Sequence, residues 1–234
     1  MQNASDYEKG GIMSNTVSFR SCQPNSVASP GAAVAAAVLV LWFALVFLLG
    51  ARGAFVTPPG TPPLPILIGF LAPLLVFFAG WRISRPFRAF VLGIDLRLAT
   101  AIQAWRFAGL GFLALYAQAV LPGLFAWPAG LGDIAVGVTA PWMILALIRQ
   151  PGFAAGKPFR AWNLLGILDL VVAVGTGVLG SGLAVGLVGE TTTGPMAHLP
   201  LVLIPAYFVP IFIMLHVTAL IQGRHLSAHS NKHA

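Results

Sequence analysis

Six long apolar runs alternate with short polar or Pro/Gly-rich breaks along the chain, at about residues 32–50, 64–81, 99–120, 125–148, 161–180 and 199–222. Each is near the ~20 residues that a helix needs to cross the hydrocarbon core of a bilayer. In lipid only helices and closed barrels satisfy their own backbone, and runs of this length fit helices. The pattern predicts an all-α polytopic membrane bundle of about six transmembrane helices. The breaks are Thr57-Pro-Pro-Gly-Thr-Pro-Pro63, Leu121-Pro-Gly123 and a Gly/Thr-rich stretch over 181–197 that carries Glu190. Pro73, Pro141, Pro205 and Pro210 fall inside runs and should kink them.

Residues 1–31 are polar and read as a disordered cytoplasmic tail. Asp6 and Glu8 do not suit a signal peptide, and the first run exceeds the ~7–15 residues of a signal core. A cleaved signal is the alternative, and either Met1 or Met13 fits as the start. Residues 32–222 make up the six-helix domain, and 223–234 a cytoplasmic tail. Residues 87–98 mix apolar side chains with Arg88, Asp95 and Arg97. They fit an interfacial amphipathic helix or a cytoplasmic extension of the third span.

Orientation follows from Lys and Arg in the short connections. Arg82, Arg85 and Arg88 follow the second run, and Arg149, Lys157 and Arg160 follow the fourth. Lys9, Arg20, Arg224 and Lys232 lie in the tails, and the opposite side carries Arg52. Both termini are therefore expected in the cytoplasm. Trp81, Trp127 and Trp162 fall near span ends, where an aromatic belt is expected.

Composition agrees. Of 234 residues, 58% are hydrophobic and 8% charged, against about 25% charged in a soluble domain. The net charge of +7 is spread over short clusters between apolar runs. That is a topology and anionic-lipid pattern, not the single basic face of a nucleic-acid binder. Cys22 is the one cysteine, which excludes an intrachain disulfide.

Against this background Arg106, Asp133 and Asp169 stand out, each inside an apolar run. A charge at mid-bilayer costs ~2.5–3.5 kcal/mol even on the lenient insertion scale, so these three should face inward and find partners. At ~1.5 Å per residue, Arg106 and Asp169 lie at similar depth, with Asp133 further out. An Arg106–Asp169 pair is expected, with Asp133 reached by the long arginine side chain or through water. Gly130-x-x-Asp133-x-x-x-Gly137-x-x-Ala140 has the same spacing as Gly166-x-x-Asp169-x-x-x-Ala173-x-x-Thr176. Steps of three and four keep each set on one helix face. Two oppositely running helices thus each carry a carboxylate in a small-residue stripe, which permits close packing and hints at an inverted repeat.

Gln103, Trp105, Gln118 and Asn163 fit either a polar cavity or hydrogen bonds between helices. His216, at a depth similar to Arg106, fits a proton relay or a hydrogen-bonded structural role, and His198 fits the interface. His198 and His216 share one helix, which excludes a bis-His haem across two spans. His225, His229 and His233 fall at helical spacing but in a tail. Gly175-Thr-Gly-Val-Leu-Gly180 matches a dinucleotide pattern literally, yet no strand precedes it, and helix packing explains it. No zinc-protease, phosphate-loop or nucleophile-elbow motif occurs. No bound cofactor or metal is expected, and a membrane-embedded enzyme is a third reading behind the two given below, since no acid, base and nucleophile set is visible.

The segments Gln103-Ala-Trp-Arg106-Phe-Ala-Gly, Leu121-Pro-Gly-Leu-Phe-Ala-Trp-Pro-Ala-Gly130-Leu-Gly-Asp133, Trp162-Asn-Leu-Leu-Gly166-Ile-Leu-Asp169-Leu and Ile204-Pro-Ala-Tyr-Phe-Val-Pro210 together resemble an uncharacterised family of bacterial multi-pass inner-membrane proteins. The resemblance covers about the second half of the chain. It implies a bacterial inner (plasma) membrane and no activity. Two functional readings remain open. One is a small-solute or ion/proton-coupled transporter using Arg106, Asp133 and Asp169, with Asn163, Gln103 and His216 around them. The other is a structural or accessory membrane subunit whose buried charges specify packing. The expected partners are the lipid bilayer and, under the first reading, a small solute or ion, with no nucleic acid. The sequence leaves the oligomeric state open.

Overall fold

The computed structural model describes residues 30–58, 60–183 and 191–230. The expected tail over 1–31 lies outside the described residues, apart from its last two positions, as do Glu190 and His233. Among the described residues the fold is all-helical, with no strand. The helices are α1 (Pro30–Ala51), α2 (Leu64–Ile83), α3 (Arg85–Leu92), α4 (Leu96–Ile102), α5 (Leu110–Ala117), α6 (Gly123–Arg149), α7 (Lys157–Val178) and α8 (Val209–Ser230). Six stretches are long and apolar enough to cross a membrane. The third of them, Leu96–Ala117, is composite: α4 and α5 are joined by a 3-10 segment, Gln103–Gly109.

Residues 87–98 divide at Gly93. The Ser84 hydroxyl accepts from Phe87 N (3.2 Å) and caps α3, and Pro86 sits in its first turn. The Asp95 carboxylate accepts from Arg97 N (2.8 Å) and caps α4. Arg85–Leu92 is thus a separate short helix, and the third span begins at Leu96, three residues earlier than its apolar run. The Gln222 side-chain amide ties this junction to α8 by donating to the Val91 and Ile94 carbonyls, both at 2.9 Å. The last helix runs past the expected boundary at Gln222, through Gly223, to Ser230, and no proline falls between them.

The prolines inside the runs differ from one another in their settings. Pro73, Pro128 and Pro141 sit within continuous helices. Pro205 lies in a π-helical turn, Ile204–Phe208, that leads into α8; such turns absorb an unmade backbone bond. The chain after α7 also winds into a π turn, Leu179–Leu183.

α6 is central, packed between the composite third span and α7, with α8 closing against α7, α2 and α4. α1 is peripheral, with 6% of its apolar window buried. It meets the bundle through the Ile204–Phe208 turn, where Tyr207 Oη donates to the Leu39 carbonyl (3.2 Å) and Trp42 packs edge-on to Tyr207. Arg106, Asp133 and Asp169 face the bundle, and much of the apolar side-chain surface faces outward, as with Leu41, Val76 and Leu165. This reverses the soluble pattern and is what lipid as solvent requires.

Candidate functional site

The 3-10 segment sets the site. With three residues per turn, positions i and i+3 eclipse one another. Gln103, Arg106 and Gly109 therefore share one side, and all three are buried. Trp105 instead points outward and is 77% exposed, and Gln118 is exposed at the end of α5. Neither lines the site.

The structure brings Arg106, Asp133 and Asp169 together. Arg106 Nε donates to Asp133 Oδ1 at 2.7 Å, and Nη2 donates to Asp169 Oδ2. The expected Arg106–Asp169 pair is present, and Asp133 is also bonded to the guanidinium directly, with no water needed. The arginine side chain is fully buried, while the two carboxylates retain 15% and 14% exposure. Two carboxylates thus share one guanidinium, and the trio carries one net negative charge when both are ionised.

The other guanidinium nitrogen, Nη1, donates to the Gly166 carbonyl (3.3 Å) and to His216 Nε2 (3.2 Å). Arginine has only donors, so Nε2 must accept, which places the imidazole proton on Nδ1. That proton meets Asn163 Oδ1 at 2.9 Å, and Asn163 Nδ2 donates to the Phe159 carbonyl at 2.8 Å. Each polar atom in this relay has a compatible partner when His216 is neutral. A charged imidazole would turn an N–H toward the guanidinium. Gln103 Nε2 donates to the Phe212 carbonyl (3.1 Å), while its buried Oε1 accepts from no described residue.

Small residues make the approach possible. A Cβ on Gly132 would overlap the Asp169 carboxylate, one on Gly166 the His216 ring, and one on Gly109 the Asp133 Cβ. At Gly137 it would strike the backbone nitrogen of Phe107. Gly137, Ala140 and Gly166 of the two predicted stripes are buried at these contacts. Thr176 instead turns its hydroxyl to the Val172 and Ala173 carbonyls of its own helix.

Two contributors were not expected. Trp162, predicted for the interfacial belt, packs edge-on to His216 at 5.3 Å, and its Nε1 donates to Thr139 Oγ1 at 2.8 Å. Its place one residue before Asn163 is the only sequence signal for this. A cavity of about 430 Å³ also reaches the cluster, with Asp133 in its wall. Its lining includes Thr57 and Gly60 from the connection after α1, and Thr192, Thr193 and His198 from the connection before α8. Both connections lie at the same end of the bundle as the start of α6. Asp133 lies ten residues into α6, or about 15 Å along its axis.

Among the described residues, no group of three or more His, Cys, Asp or Glu side chains is placed to hold a metal ion. His225 is exposed in the last turns of α8, far along the helix from His216.

The spans from α2 to the middle of α8, and with them every member of the cluster, fall within one recognised unit. A family model described as a domain of unknown function (DUF8737) matches residues 63–222. The chain belongs to that family. DUF8737 leaves α1 outside the match, in keeping with its peripheral place. Neither curated proteins nor solved structures give a match to this chain.

Proposed function

We propose that this member of DUF8737 is a transporter of a small solute in a bacterial inner membrane, driven or gated by a proton or cation at the Arg106–Asp133–Asp169 cluster. One observation carries the proposal: the Asp133 carboxylate, already bonded to Arg106, also lines a cavity of about 430 Å³ that extends to one end of the bundle. A purely structural ion pair gains nothing from an access route. Burying a charge in excess of its partners is costly, and the trio holds two carboxylates to one guanidinium. A proton or a cation arriving through the cavity would balance it. Asp133 is the entry group, Asp169 the second acceptor and Arg106 the fixed counter-charge. His216, oriented by Asn163, holds the guanidinium from the opposite side, and Gln103 lies one 3-10 turn away.

The structural reading has its own support, since Arg106 finds an acceptor at each of its three nitrogens within the protein. The two readings part at Asp133→Asn. This change keeps the shape and leaves a balanced Arg106–Asp169 pair, so the protein should fold. On a solid-supported membrane, a pH jump applied to proteoliposomes should displace charge with the wild-type chain and not with Asp133→Asn. Equal signals from both, or none from the wild type, would leave the packing role as the function of the cluster.

The same proposal places both termini in the cytoplasm and the cavity on the outer side, on the strength of the arginine and lysine distribution. Reporter fusions after residues 85, 155 and 228 should read cytoplasmic, and those after 60 and 121 external. A cytoplasmic signal at 121 would remove the six-span topology.

A further inference from the structure

We propose that the cavity beside Asp133 is a binding site for a lipophilic organic monocation, one with an apolar body and a single onium or ammonium head. The inference rests on the transporter reading of Asp133 and adds the class of ligand. The cavity's volume of about 430 Å³ falls in the ~300–1,000 Å³ range of small-molecule sites.

Its walls select for the ligand. Phe112 and Phe125 come from one buried apolar cluster, and Phe70, Leu170 and Val209 from another. Asp133 is the one ionisable carboxylate among the lining residues, while Thr57, Thr192, Thr193 and His198 lie toward the loop end. The Thr193 hydroxyl donates to the Gly177 carbonyl and that of Ser181 to the Val178 carbonyl, both at 2.6 Å, so neither proton is left for an anion. A small metal cation wants about six oxygens converging on one point, whereas this lining offers one carboxylate, with the threonine hydroxyls toward the loop end. An anion would face the net negative charge of the Arg106 trio. A neutral solute would gain nothing from that charge. An onium cation needs none of those oxygens: phenylalanine faces attract it through their quadrupoles, apolar walls take its body, and the carboxylate answers its charge.

The test is equilibrium binding to the full chain in detergent with three probes: tetraphenylphosphonium, tetramethylammonium and neutral triphenylphosphine oxide. Tetraphenylphosphonium should bind saturably at one site per chain, and the other two at least about tenfold more weakly, since each lacks one half of the recognition. Asp133→Asn should weaken tetraphenylphosphonium by about thirtyfold or more, the scale expected when a desolvated charge loses its partner. Val174→Phe, which narrows the cavity without touching the cluster, should weaken all binding. Triphenylphosphine oxide binding as well as the phosphonium would overturn the proposal, as would an unchanged affinity in Asp133→Asn. Comparison of the probes on the wild-type chain stands even if a variant does not fold. A pH-jump signal that persists without phosphonium binding would overturn the ligand class and spare the transporter reading. Binding without any pH-jump signal would do the reverse.

Discussion

Arg106→Met is expected to destabilise the protein far more than removal of either aspartate. The methionine fills much of the same volume, but it strands two buried carboxylates and withdraws the donors to His216 Nε2 and the Gly166 carbonyl. Breaking a buried pair by removing one partner costs ~3–5 kcal/mol, and here one deletion breaks two pairs. Asp169→Asn or Asp133→Asn leaves Arg106 with the other carboxylate, so each costs nearer the ~1–3 kcal/mol of an impaired buried hydrogen bond. A simple Arg106–Asp169 pair predicts something else: similar losses from either end, with rescue by Arg106→Met/Asp169→Leu. In the three-membered cluster that double variant still leaves Asp133 unpaired and should remain unstable. The triple variant that also carries Asp133→Asn should recover. Unfolding midpoints in detergent for the singles, double and triple decide between them. Equal losses from Arg106→Met and Asp169→Asn would dissolve the three-membered cluster.

The spans were legible because lipid imposes a strong, one-dimensional signal. A run of ~20 apolar residues has few other uses, and the breaks at 57–63 and 121–123 are chemically plain. The three membrane charges were legible for the same reason, since lipid penalises each of them unless it is paired. What the pattern could not reveal is local winding. An α-helical period fans 103, 106 and 109 over about 120° of the cylinder, whereas the 3-10 turn eclipses them. It is this winding that sends Gln103 inward with Arg106 and turns Trp105 toward lipid. Trp162 shows a related limit. Nearness to a span end suggests an aromatic belt, but a tertiary partner, His216, decides the direction of the ring. The cavity is formed by residues from five separate stretches of chain, and no periodicity within one run encodes it. The matched family unit, 63–222, begins before the resemblance read from sequence and takes in α2, which contributes Phe70 and Leu74 to the core without a distinctive motif.

Gly137→Ala should be severe although it adds one methyl group. Its Cβ would collide with the Phe107 nitrogen and lie 3.0 Å from Arg106 C and Phe107 Cα. These are backbone atoms, so no rotamer change relieves the contact. α6 and the 3-10 segment must move apart, and the movement acts on the 2.7 Å bond between Arg106 and Asp133. Overpacking alone costs ~1–3 kcal/mol, to which the loosened ion pair adds. Gly175→Ala is the matched comparison. That glycine is also helical and in an apolar span, but a Cβ there meets nothing within 4 Å, so the change should stay within ~0.5 kcal/mol. Thermal midpoints of the two variants in one detergent test the difference. If Gly137→Ala matches Gly175→Ala, the helices have room that the geometry denies. If it is the worse of the two and also blunts the pH-jump signal, then the spacing of α6 from the 3-10 turn, and not only the charge of its aspartate, sets what Asp133 can do.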